Sequence, residues 1–280
     1  VSSTSASSPS PHPAVDAAAA APSPLALPAF GHSGERHLAR HFHAVRLSRA
    51  QRPDLTAARE RPLIVYLNHC SWWDPLICLQ LASQVFPGRR HYAPLEQAML
   101  RRHRLFAHLG FFGVDVESAR GARRFLEMAT RVVEQPEATL WITAGGTLAD
   151  PRERPVKLQA GLGHLAARAR HAVLLPLALE YPFWSDPLPE ALARFGEELA
   201  VEDTGMRAHD WTEVIAARLE AAQDALAAEA LARDAAHFEV IQGAGAATGG
   251  GVRDAWRRFR ETLRARRRRA LPRVDPEEGA

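Results

Sequence analysis

Five consecutive apolar residues, Leu63-Ile64-Val65-Tyr66-Leu67, run without a polar break straight into Asn68 and His69. A strand with one face in water alternates apolar and polar side chains. An unbroken run of this length, rich in β-branched and aromatic residues, instead describes a strand covered on both faces. Such a strand needs helices above and below it, and the sequence supplies them. Pro75 stands where a first helical turn tolerates it, with Leu76, Ile77, Leu79 and Leu81 continuing the helix. Further strands are expected at Gly113 to Val116, Thr139 to Thr143 and Val173 to Leu179. Helical patterns at Ala122 to Glu134 and Gly161 to Arg170 separate them, and a long helix is signalled by Trp211, Val214, Ile215, Leu219, Ala222 and Leu226. Strands alternating with helices give an α/β fold with a mixed central sheet flanked by helices.

The remainder divides into three stretches. Residues 1–34, rich in Ser, Pro and Ala, read as a disordered tail. From Arg36 to Ala50, Leu38, Phe42, Val45 and Leu47 suggest a basic amphipathic helix at the start of the main domain, which spans 35–242. Residues 243–280 comprise a Gly-rich hinge and a C-terminal helix, Arg253 to Arg269, with Trp256, Phe259 and Leu263 on one face among nine arginines. The hinge has the spacing GxGxxxG, and neither a further strand nor a ribose-binding carboxylate follows, so it is no dinucleotide fingerprint. The pair His37 and His41 has helical spacing without a third ligand, and no metal site is expected.

Composition narrows the chemistry. Lys157 is the sole lysine among 35 basic residues, so a Schiff-base mechanism has one possible carrier. Cys70 and Cys78 lie eight apart in one segment and indicate no disulfide framework, which suits a reducing, cytoplasmic setting. No uninterrupted apolar stretch reaches the length of a membrane span: Leu63 to Ala82 contains Asn68, His69 and Asp74. No Lys or Arg precedes Arg36, so a secretory leader is not expected. Basic residues concentrate in one short segment without a recognisable module, which argues against nucleic acid as a partner.

His69 and Asp74 are the residues on which chemistry can be placed. A His followed five places later by Asp is a weak signal where histidines are this numerous; His91 and Glu96 share the spacing. The setting distinguishes the pair: it follows a buried strand and closes on Pro75 at a helix start. At such a turn the carboxylate can fold back onto the imidazole, fix its tautomer and stabilise the cation formed on proton uptake. The natural target of the outer nitrogen is a hydroxyl, because no GxSxG elbow is present. A core histidine held by a carboxylate is the competing, purely structural reading.

Asn68-His69-Cys70-Ser71-Trp72-Trp73-Asp74-Pro75 resembles the NHxxxxD block of the PlsC-like glycerolipid acyltransferases, and the likeness runs in the family's order from about residue 60 to about 200. Gly110 to Asp115 followed by Arg120, Arg123 and Arg124 is similar to the second block, which supplies basic contacts to phosphate. Trp141 to Thr147 stands where the family has Phe-Pro-Glu-Gly-Thr, and Leu175-Pro176-Leu177-Ala178 resembles the fourth block. The resemblance implies His69 as general base and Asp74 as its orienting carboxylate. Substrate contacts fall on Asn68, Arg120, Arg123, Arg124, Gly146, Thr147 and Arg154, with Arg152 and Lys157 as further cations. It implies transfer of a fatty acyl group from acyl-CoA or acyl-carrier protein to the hydroxyl of a lysophospholipid or related lipid acceptor, without an acyl-enzyme and without a cofactor. A peripheral position on the inner membrane face, held through amphipathic basic segments, would go with such substrates. The third block departs: the family's glutamate falls on Gly145, its proline on Ala144 and its arginine on Leu148. That departure keeps open a catalytically weak, lipid-binding or scaffold role.

Overall fold

The computed structural model describes residues 22–23, 26–53, 60–103, 105–115, 118–202 and 205–243. The elements are α1 (Ala26–His41), β1 (Ala44–Ser48), β2 (Leu63–Leu67), α2 (Asp74–Val85), β3 (Arg90–Glu96), α3 (Gln97–Arg102), α4 (Leu105–His108), β4 (Phe111–Val114), α5 (Ala119–Val133), β5 (Ala138–Thr143), α6 (Ala160–Ala166), β6 (Val173–Glu180), β7 (Glu190–Phe195), β8 (Leu199–Ala200), α7 (Ala208–Ala232) and β9 (Phe238–Gly243). The sheet order is β4-β3-β5-β2-β6-β7-β1-β9, with β8 on the start of β6. Strands β4 to β6 along this order run parallel, β7 is antiparallel to β6, and β9 is antiparallel to β1. The sheet is therefore mixed and flanked by helices, as expected.

β2 lies at the centre, and its register explains its composition. Leu63, Val65 and Leu67 pack with Leu38 of α1, with Phe42 just beyond its end, and with Ile77, Leu81 and Val85 of α2. Ile64 and Tyr66 face the other way, among Met128 and Val132 of α5, Leu162 and Leu165 of α6 and Trp211, Ile215 and Leu219 of α7. All five are fully buried, and each such side chain contributes about 1.5–3 kcal/mol of transfer free energy. α1 crosses α2 closely: a Cβ on Gly34 would stand 3.0 Å from Leu76 Cδ1.

Several boundaries differ from expectation. Residues 26–34, expected within a tail, belong to α1, which begins at Ala26; Pro28 falls in its first turn, where no intrahelical N–H is needed. The helix expected over Arg36 to Ala50 stops at His41, and residues 44–48 form β1 instead. Pairing decides this: β1 is taken between β7 and β9, and its buried Arg46 is neutralised by Glu190 at 2.9 Å. The segment Phe238 to Gly243 is a strand for the same reason, so Gly243 ends β9 rather than opening a hinge. The hinge beyond it, the arginine-rich segment 253–269 and residues 1–21 lie outside the described residues.

His91, the chance match to the His–carboxylate spacing, sits in β3 at 5% exposure. Its Nδ1 accepts from Trp141 Nε1 at 3.2 Å, and burial pushes its pKa down to about 4 from the ordinary 6.5. The native state thus binds fewer protons than the unfolded chain between these values, so stability is intact above pH 6.5 and is lost as pH falls toward 4. Chemical denaturation should show this single group removing about 3 kcal/mol across that window. His91→Leu should flatten that part of the pH profile, although leaving Trp141 Nε1 without an acceptor costs about 1–3 kcal/mol at neutral pH.

Candidate active site

The parallel strands β2, β5 and β6 end side by side, and in open α/β sheets ligands meet the carboxyl ends of the strands. The turn after β2 is held on both sides. Asn68 extends the β2–β6 ladder with its side chain: Leu179 N donates to Asn68 Oδ1 at 2.8 Å, and Asn68 Nδ2 donates to Leu179 O at 3.0 Å. On the other side Ala144 N donates to Leu67 O and Ala149 N to His69 O, both at 2.8 Å. The segment after β5 is thereby laced to the backbone that carries His69.

The chain then reverses so that Asp74, the first residue of α2, comes back over His69. Asp74 N donates to Ser71 O at 3.2 Å, and Pro75 follows in the first helical turn. The Asp74 carboxylate is fully buried. A bare buried charge is strongly unfavourable, and donors on both oxygens offset the loss of water. His69 Nδ1 reaches Oδ2 at 2.7 Å, with Cys70 N at 2.9 Å and Ser71 N at 3.1 Å on the same oxygen. Tyr181 Oη donates to Oδ1 at 2.6 Å. Because the carboxylate only accepts here, Nδ1 carries the proton and Nε2 is the nitrogen available to take another. The His69 side chain retains 19% exposure, enough to meet a ligand. Cys70 is no competing nucleophile: its Sγ lies 3.3 Å from Leu179 O, and burial beside Asp74 raises the thiol far above its ordinary range.

An aromatic wall adjoins the pair. Trp73 packs against His41 at 4.8 Å, His37 at 5.4 Å and Phe42 at 5.1 Å, and Phe42 lies 5.6 Å from Tyr181. The His37 and His41 rings lie 4.5 Å apart, tilted at 49°, and His41 Nδ1 is on the carbonyl of His37 at 2.9 Å. Trp72, next in line, is 82% exposed.

The remaining nominated residues divide. Gly146 and Thr147 occupy the exposed turn after β5, where Gly146 takes φ +72°, a conformation that favours glycine. A Cβ on Gly145 would stand 3.2 Å from Lys157 O, so the turn is built tightly around the residue that replaces the family's glutamate. Arg120, Arg123 and Arg124 are exposed on α5, which follows β4. Farther along the same helix Met128 and Val132 pack with Ile64 and Tyr66 of β2, and Arg123 pairs with Glu127 at 3.0 Å. Arg154 is turned away from the site: its Nε donates to Asp224 of α7 at 3.0 Å and its Nη1 to the carbonyls of Pro151 and Glu153. Lys157 pairs with Glu153 at 2.9 Å. Arg152 is the cation nearer the strand ends, its Nη2 on the buried Glu180 at 2.5 Å with the side chain 66% exposed. Glu180 and Tyr181 were not legible as site residues, being more than a hundred positions from His69 with no spacing to connect them. A cleft of about 370 Å³ lined by Leu199, Ala200, Met206, Trp211 and Val214 lies elsewhere, since β8 pairs with the opposite end of β6.

Comparison with known proteins bears on the same part of the chain. Residues 46–180 match the Acyltransferase family model, a segment that runs from β1 to the end of β6 and contains the whole His69–Asp74 turn. The match covers just under half of the chain, and over that segment the chain is similar to acyltransferases. Among solved structures it is similar to the 1-acyl-sn-glycerophosphate (LPA) acyltransferase PlsC from Thermotoga maritima, at 15% identity over 72% of this chain and 80% of that one, with a TM-score of 0.52; the likeness is one of fold. No curated protein sequence matches the chain.

The amide bridge at Asn68 predicts a double effect. Asn68→Ala leaves the Leu179 N–H and C=O without their partner, so denaturation should show a loss of about 1–3 kcal/mol. Turnover should fall as well, because the same bridge aligns residues 179–181 with the turn.

Proposed function

We propose that this protein moves a fatty acyl group from a thioester, acyl-CoA or acyl-carrier protein, to the hydroxyl of a lysophospholipid or related lipid. The observation that carries the proposal is the 2.7 Å contact from His69 Nδ1 to a fully buried carboxylate at the end of a central parallel strand. His69 Nε2 takes the proton of the acceptor hydroxyl as its oxygen attacks the thioester carbon. The tetrahedral oxyanion collapses, the C–S bond breaks, and the departing sulfur receives the proton from the imidazolium. Asp74 keeps the ring in the right tautomer and stabilises its transient charge. Direct attack needs no acyl-enzyme, which suits a site whose neighbouring thiol is held protonated, and the steps balance without a cofactor.

Both substrates carry anionic groups, and exposed guanidinium groups are suited to them. Arg152, whose partner Glu180 ends β6, and the exposed Arg120, Arg123 and Arg124 of α5 are the cations offered for those groups. An amphiphilic acceptor calls for work at a lipid surface. No helix among the described residues is long and apolar enough to cross a membrane. Attachment from the cytoplasmic side through basic amphipathic segments, Arg253 to Arg269 among them, accounts for access to the acceptor.

The test is turnover of full-length protein with labelled acyl-CoA and acyl-carrier protein against a panel of lysolipids in mixed micelles. Acylated lipid should form, and His69→Ala should lower kcat by about a hundred- to ten-thousandfold with the fold retained. Equal turnover by His69→Ala, or release of free fatty acid in place of acylated lipid, would overturn the assignment.

A further inference from the structure

We propose that Tyr181 is a positioning residue for acyl transfer, its hydroxyl fixing the carboxylate that orients His69. This rests on the reading of His69 and Asp74 as the reacting pair. The two oxygens of Asp74 are served differently. Oδ2 takes three donors from its own turn, His69 Nδ1, Cys70 N and Ser71 N. Among the described residues Oδ1 has Tyr181 Oη at 2.6 Å and otherwise the distant Cys70 Sγ at 3.9 Å, whose closer partner is Leu179 O at 3.3 Å. Rotation about the Cβ–Cγ bond moves both oxygens together, so the phenol on Oδ1 adds a restraint from a second element to the three donors on Oδ2. It thereby narrows the drift of the carboxylate and of the imidazole that hangs from it.

The placement of Tyr181 is built into the sheet. β6 continues past Leu177, the partner of Leu67, and the Asn68 side chain clamps Leu179 by both backbone groups. Two residues on, Tyr181 is delivered over the turn, and its ring rests on Phe42, which in turn packs on Trp73. Burial, together with the neighbouring Asp74 charge, keeps the phenol protonated well above its usual range, so it remains a donor at every working pH. The charged or titratable groups around the pair are Cys70 beside it, Cys78 on α2, Glu180 with Arg152 at the end of β6, and His37 and His41 of α1 beside Trp73.

Tyr181→Phe keeps the ring on Phe42 and removes only the donor. The expected result is a loss of kcat of about 10- to 100-fold with KM for both substrates unchanged. In an Asp74→Asn background the same change should cost nothing further, since the interaction it removes is already gone. A wild-type kcat in Tyr181→Phe, a loss appearing mainly in KM, or a full multiplicative loss on top of Asp74→Asn would overturn the proposal. His69→Ala, assayed in parallel, separates the two levels. If it abolishes transfer while Tyr181→Phe does not alter it, only the role of Tyr181 falls. If it transfers normally, the reacting pair itself is wrong and the positioning role falls with it.

Discussion

A carboxylate with no access to water sits at the junction of every element that matters in this protein. Asp74 is stable there only because donors surround it, and those donors come from two separate places: the backbone and imidazole of the turn after β2, and a phenol beyond the end of β6. Neither set can be moved without exposing a bare charge to a low-dielectric interior, at a cost of several kcal/mol. The charge therefore acts as a constraint on the turn as well as a partner for the histidine. The geometry a general base requires, a fixed tautomer and one free nitrogen, comes from satisfying that constraint.

The sheet makes the convergence possible. β2 lies between β5 and β6, all parallel, so their carboxyl ends open onto one edge. Asn68 ties β6's continuation to the turn, and the backbone of 144–149 ties the segment after β5 to the same turn. The helices contribute cover: α1 and α2 on one face, α5, α6 and α7 on the other. Burial on both faces makes β2 rigid, and rigidity at a strand end places a side chain more accurately than a free loop does. The exposed ring of Trp72 and the aromatic stack around Trp73 lie on the margin of this edge, where an amphiphile would approach.

Much of this was legible before any coordinates. β2, β5, β6, α2, α5, α6 and α7 announce themselves through uninterrupted apolar runs or helical spacing, and the turn that joins His69 to Asp74, five residues on, follows from a strand end and a helix start. β1, β3, β7 and β9 were not read as strands. β1 carries Arg46, whose burial makes sense only with Glu190 opposite, and β3 begins with Arg90 and His91, which read as polar until Trp141 supplies a partner. Among the arginines the sequence offered several equivalent cations, and packing separated them: Arg154 is bound to α7, Arg152 to Glu180 and Arg123 to Glu127.

The sequence alone determined what local physics can determine: which segments must be covered on both faces, where a helix starts, and that one imidazole and one carboxylate are close enough along the chain to meet. Tertiary structure decided everything that depends on residues distant in sequence coming together. Tyr181 stands 107 positions from Asp74, and no periodicity joins them. Only the pairing of β6 with β2 brings the phenol to the carboxylate, because strand register converts a sequence separation into a spatial contact, and register is a property of the assembled sheet.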